Sequence, residues 1–174
     1  MASMYPYLIP SLPLLLFGQR PPFDFEQFLA RCRDLIPAED FEMLAMCAQD
    51  NLLEQESARA ALAHWIAFEK GLRNELTRIR ASRKKIDPEK FLRSGASTEP
   101  SLYHIALNSH RIPSLVESEK SLDRERWQKL DELSLGHYFD LDALVVYALK
   151  LCILLRWEGV DKADKQRLLE AALV

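Results

Sequence analysis

Glycine is scarce in this chain, with five in 174 residues, each standing alone. No GxGxxG, Walker-type GxxxxGK[ST] or GxSxG arrangement can be assembled from them, which excludes phosphate-cradling loops and a nucleophile elbow. Cysteine is scarcer still. Cys32, Cys47 and Cys152 are odd in number, widely spaced and set in apolar helical pattern, unlike a disulfide framework or a CxxC metal clip, and they fit a reducing cytosol. The four histidines, His64, His104, His110 and His137, form no HExxH or HxxxH pair, so the sequence predicts neither metal nor cofactor. Long hydrophobic runs are missing too. Tyr7 to Phe17 is broken by Pro10 and Pro13 and has no Lys or Arg before it, unlike a signal peptide. Ala143 to Leu155 carries Lys150 as its only charge, and is well short of the roughly 20 residues that a span requires. A net charge of -3 gives no global attraction to nucleic acid or acidic membranes. These absences lead to the expectation of a soluble cytoplasmic protein that is not an enzyme.

What is present is helical. The 48% apolar and 28% charged composition is globular, and folding at this length removes roughly two-thirds of the surface of the unfolded chain. We expect an all-α fold: a single domain over 1–174, a compact bundle of about seven to eight helices, with residues 1–23 packed on it as an extended proline-rich segment. Five of the nine prolines fall in MYPYLIPSLPLLLFGQRPPF, where they fix φ and remove donors, leaving room for one helical turn after Ser11. Asp24 with Gln27 spells a capping box ahead of a helix that Pro37 ends. Further helices are expected from Pro37 or Ala38 to about Gln49, from Ser57 to Lys84, from Pro88 through Arg93, from Thr98 or Pro100 to His110, and up to Leu135. Gly71, inside the longest of them, suggests a close helix crossing. The charged segment Glu117–Glu132 holds six acidic and four basic residues, with Glu125 and Lys129 placed as an i,i+4 pair. Its thin stripe of Leu115, Leu122, Leu130 and Leu133 puts it on the outside. Asp140 should cap LDALVVYALKLCILLRW, apolar nearly all round and hence the core helix, and Asp161 should cap a separate last helix.

Paired carboxylates such as Glu39 with Asp40 sit at helix starts or on solvated faces, where acid–base work has no support. One feature rises above this background. From Glu69 to Arg93 nine basic residues face four acidic ones. Without interleaved aromatics or a reader motif it does not resemble a nucleic-acid surface. A solvated helix end accounts for part of it, since cations favour the negative end of the helix dipole. We expect a docking surface for an acidic protein partner, with Arg73, Arg78, Arg80, Arg83, Lys84 and Lys85 as its contacts.

Three stretches carry a family resemblance: the opening MYPYLIPSLPLLLFGQRPPFDFEQFL, then WIAFEKGLRNELTRIRA, then FDLDALVVYALKLCILLRW. They resemble an uncharacterised bacterial family, domain of unknown function 2764, encoded among V-type (A/V-type) ATPase subunits. The resemblance implies a small helical protein in the place of the C-type subunit of these ATPases, the AC39 or d type, which sits on the membrane rotor ring and receives the central stalk. Glu69, Leu72, Arg73 and Asn74 echo an E-x-x-x-R-N helix of that type. On this resemblance the expected partners are V-type ATPase subunits, and the location is the cytoplasm or the inner-membrane periphery through that complex. A generic helical adaptor and an enzyme built around a helical cavity are the competing readings.

Overall fold

A computed structural model describes residues 5–172, with side chains over 5–163. Among the described residues the architecture is all-α, as expected, with seven α-helices and two short 3-10 turns. The helices are α1 (Tyr5–Ser11), α2 (Phe25–Cys32), α3 (Ala38–Met46), α4 (Ala60–Lys84), α5 (Ser101–Arg111), α6 (Leu115–Leu133) and α7 (Leu141–Ala172). Their contacts group the chain into two compact units. One comprises the residues up to Gln49 together with those from Gly136 onward, and the other is Asp50–Leu135.

In the first unit α1, α2 and α3 all pack on α7. That helix buries Leu141, Leu144, Val145, Val146, Ala148, Leu149 and Leu151 around most of its circumference, matching its nearly continuous apolar sequence. Each of the larger side chains contributes roughly 1.5–3 kcal/mol by leaving water. Phe28 of α2 stacks on Tyr147 with ring centroids 5.4 Å apart, and the Tyr147 hydroxyl donates to the Pro13 carbonyl at 2.9 Å. The proline-rich opening is thereby tied to α7 by a donor that its own proline-depleted backbone does not supply. The capping box is present: Asp24 accepts from the Gln27 amide at 2.7 Å, and the Gln27 side chain accepts from the Asp24 amide at 3.3 Å. Asp140 caps α7 through the Ala143 amide at 3.0 Å.

Three expectations need correction here. The helical turn of the opening segment lies before Ser11, not after it, because Pro6 falls in the first turn of α1, where its missing N–H has no partner to lose. Pro10, near the end of the same helix, shortens it. The expected separate last helix does not exist either, since α7 runs unbroken through Gly159 and Asp161. A single glycine costs about 1 kcal/mol of helix propensity, and Glu158 and Lys162 form an i,i+4 pair across it at 3.2 Å. Finally, the expected Glu125–Lys129 pair is replaced by pairs of Lys129 with Glu99 and Glu132, both at 3.3 Å.

In the second unit α4 packs along α5 and α6, and α5 packs on α6. One face of α6, Leu122, Asp123, Arg126, Trp127 and Leu130 at i, i+1, i+4, i+5 and i+8, is buried, and the rest of the helix is exposed or half-buried.

Candidate partner-binding surface

The surface is built from the last three turns of α4 and the chain that returns along them. Thr77, Arg80, Ala81 and Lys84 recur at three and four, so they share one face of the helix. Lys85 then adopts φ 55 and ψ 40, the left-handed region that glycine usually fills at a helix end. Its amide donates to Ser82 and the Ile86 amide donates back to Ala81 at 3.1 Å, which is the Schellman pattern. The reversal lays Ile86 and Phe91, 48% and 58% exposed, beside Ala81. Together with Thr77, Arg80, Ala81 and Lys84 they line a groove of about 320 Å³.

Beyond the groove the returning chain is tied to α4. Asn74, buried on α4, donates to the Arg93 carbonyl at 2.9 Å and accepts from the Arg93 amide at 2.8 Å. Four residues on, the Ser97 amide donates to the Ala67 carbonyl at 2.8 Å. These bonds satisfy backbone groups that a returning loop would otherwise leave open, and they fix the loop on the helix.

All six basic residues singled out from the sequence are exposed, but they fall into two sets. Arg73 pairs with Glu69 at 3.5 Å, Arg78 pairs with Glu75, and the Arg83 guanidinium meets His110 Nε2 at 3.0 Å. Arg80, Lys84 and Lys85 have no polar side-chain partner among the described residues, and Arg80 and Lys84 border the groove. The sequence reading missed the apolar half of this surface: it took the basic segment to have no interleaved aromatics, yet Phe91 stands between Lys90 and Arg93, and Ile86 follows Lys84 and Lys85.

Lys85 is the one non-glycine residue with positive φ among the described residues. That conformation costs an L-residue roughly 1–2 kcal/mol. Lys85→Gly should therefore stabilise the fold by about 0.5–1 kcal/mol, the greater freedom of glycine in the unfolded chain offsetting part of the relief. Urea unfolding measures this, and an unchanged or lower midpoint would show that the lysine is unstrained.

A second polar cluster lies between α4 and α6. Arg126 of α6 donates to Asp123 at 2.9 Å and to both carboxylate oxygens of Glu69 on α4, and Asp123 and Glu69 are 0% and 4% exposed. With Arg73 on its rim the group comprises two carboxylates and two guanidiniums. It offers no open face to a substrate and reads as the polar lock between α4 and α6. Glu69, Arg73 and Asn74, the residues of the E-x-x-x-R-N echo, thus have structural partners inside this unit.

The remaining chemistry is quiet. Burial pushes the thiols of Cys32, Cys47 and Cys152 up to about 12, where the reactive thiolate is negligible. His137 is raised by its hydrogen bond to Asp140, with Asp142 adding to the effect. Among the described residues no three His, Cys, Asp or Glu side chains converge as a metal site, and no helix is long and apolar enough to cross a membrane.

The geometry defines a helical protein with a preformed, cation-edged apolar groove. The model of a family described as "Protein of unknown function (DUF2764)" matches residues 100–171, less than half of the chain, covering α5, α6 and most of α7. Of the three stretches that carry the resemblance, the match includes the third and neither of the first two. No curated protein and no solved structure matches the chain.

Proposed function

We propose that this protein is a non-catalytic V-type ATPase-associated subunit of the C/d type, which links the central stalk to the membrane rotor or assists its assembly. The observation that carries the docking part of this reading is the exposed cationic edge of α4. Among the described residues Arg80, Lys84 and Lys85 stand without polar side-chain partners, and Lys85 holds a strained backbone conformation where glycine would be cheaper. A strained position of that kind is more often kept for a surface role than for stability. The ATPase part is supported by the family resemblance of the sequence and by the partial match to the same uncharacterised family. A coupling piece needs packed helices that transmit force, and the helical units with the ionic lock between α4 and α6 suit that task.

Capture of the full chain from a detergent-solubilised membrane fraction of its own cell, at low salt and micromolar concentration, tests the reading. V-type ATPase stalk or rotor subunits should co-purify in constant ratio. Their complete absence would reject the ATPase assignment and leave a generic helical adaptor.

A further inference from the structure

Resting on the docking reading above, the structure assigns the occupant of the groove at the end of α4. We infer that it receives an acidic amphipathic helical segment of a partner protein, two of whose apolar side chains enter the groove while its Asp and Glu side chains meet Arg80, Lys84 and Lys85. An apolar cavity of about 150 Å³ accommodates a benzene-sized group, so a groove of about 320 Å³ has room for two side chains of leucine or phenylalanine size. Two such side chains one turn apart on a helix are the usual anchors for helix-in-groove recognition. Arg80 and Lys84 lie one turn apart on α4, which suits carboxylates spaced at three and four on the incoming helix.

The sign of the charge selects the occupant. The segment Glu69–Arg93 has nine basic residues against four acidic, and Arg80 and Lys84, neither with a polar side-chain partner among the described residues, border the groove, with Lys85 next in the chain. A basic or neutral segment would bury Ile86 and Phe91 equally well but leave those cations facing like charge or nothing. A membrane surface is the weaker fit, because a concave site with only two exposed apolar residues presents little to a flat interface. The paired Asn74–Arg93 bonds fix the returning chain to α4 two residues beyond Phe91, which reduces the ordering cost that falls on the binding step.

The probe is a fluorescein-labelled 16-residue helical peptide with two leucines four positions apart among glutamates, titrated with the full chain and followed by anisotropy. Wild type should bind it at micromolar concentration. Phe91→Ala should weaken binding tenfold or more, as should the pair Arg80→Glu and Lys84→Glu. A peptide with both leucines changed to serine should bind at least tenfold more weakly. Phe91 is exposed, so Phe91→Ala leaves the fold intact, which circular dichroism verifies. Equal binding of the two peptides, or no effect of Phe91→Ala, would overturn the inference. So would binding to phosphatidylserine vesicles without binding to the peptide. A concentration-dependent dimer in sedimentation, lost in Phe91→Ala, would give the groove to a second copy of this chain and also overturn it.

The two readings fail separately. If charge reversal breaks the ATPase association and Phe91→Ala does not, the groove assignment falls and the docking reading stands. If the peptide binds as described and no ATPase subunit is captured, the groove stands and the ATPase assignment falls.

Discussion

Replacing Arg126 by methionine should destabilise the protein by roughly 3–5 kcal/mol, although methionine fills much of the same volume. The guanidinium serves Asp123 and Glu69 at once, and both carboxylates are buried. Without it their charges would remain in a poorly solvated site, with Arg73 at 3.5 Å from Glu69 as the other cation of the group. For a chain of this length the loss corresponds to a fall in Tm of roughly 10 °C or more. The triple variant Arg126→Met, Glu69→Gln, Asp123→Asn should recover much of the stability, since removing all partners costs less than removing one. A single variant within 1 kcal/mol of wild type, measured by urea unfolding, would show that the cluster does not lock α4 to α6.

Gly71→Ala should also destabilise, against the helix propensity that favours alanine by about 1 kcal/mol. A Cβ on Gly71 would stand 2.6 Å from the Ser97 carbonyl oxygen and 2.6 Å from Leu102 Cδ1. The leucine terminus can rotate away, but the Ser97 carbonyl belongs to a backbone tied to α4 through the Ser97 amide. Overpacking of this kind costs typically 1–3 kcal/mol, and Gly71→Val should exceed it by adding two more methyl groups. Thermal unfolding decides the matter. A rise in Tm for Gly71→Ala would mean that the crossing is loose and propensity dominates.

These two sites mark how far the sequence could be read. Gly71 was legible as a close crossing because a glycine inside a long amphipathic helix sacrifices propensity, and the approach of a neighbouring backbone is what offsets that loss. The caps at Asp24 and Asp140 were legible because capping depends on residues three positions apart. The ionic lock was not, because Glu69 and Arg126 are 57 residues apart and a stripe counted in apolar residues alone skips charged members. The available signal was local: Glu69 lies on the Trp65–Leu72–Leu76 stripe, and Asp123 and Arg126 alternate with Leu122, Trp127 and Leu130. Opposite charges on two apolar faces are a pairing waiting for its geometry. The continuity of α7 escaped for the reverse reason, since Gly159 and Asp161 spell a break that neighbouring helical residues override. The candidate surface was half legible. Its cations could be counted, whereas the groove depends on the left-handed turn at Lys85, which brings Ile86 and Phe91 back against α4.

If the cationic end of α4 is the docking edge proposed above, reversing its charge should break the association. Arg78, Arg80, Lys84 and Lys85 would all be changed to Glu, with Glu117→Lys and Lys120→Glu on α6 as the matched control, and both variants titrated against the captured ATPase subunits at low salt. All of these side chains are exposed, so helicity by circular dichroism should match wild type in both variants. The α4 variant should bind at least tenfold more weakly, a loss of about 1.4 kcal/mol or more, while the α6 variant should bind as wild type. Undiminished binding by the folded α4 variant, or a loss confined to the α6 variant, would contradict the proposal.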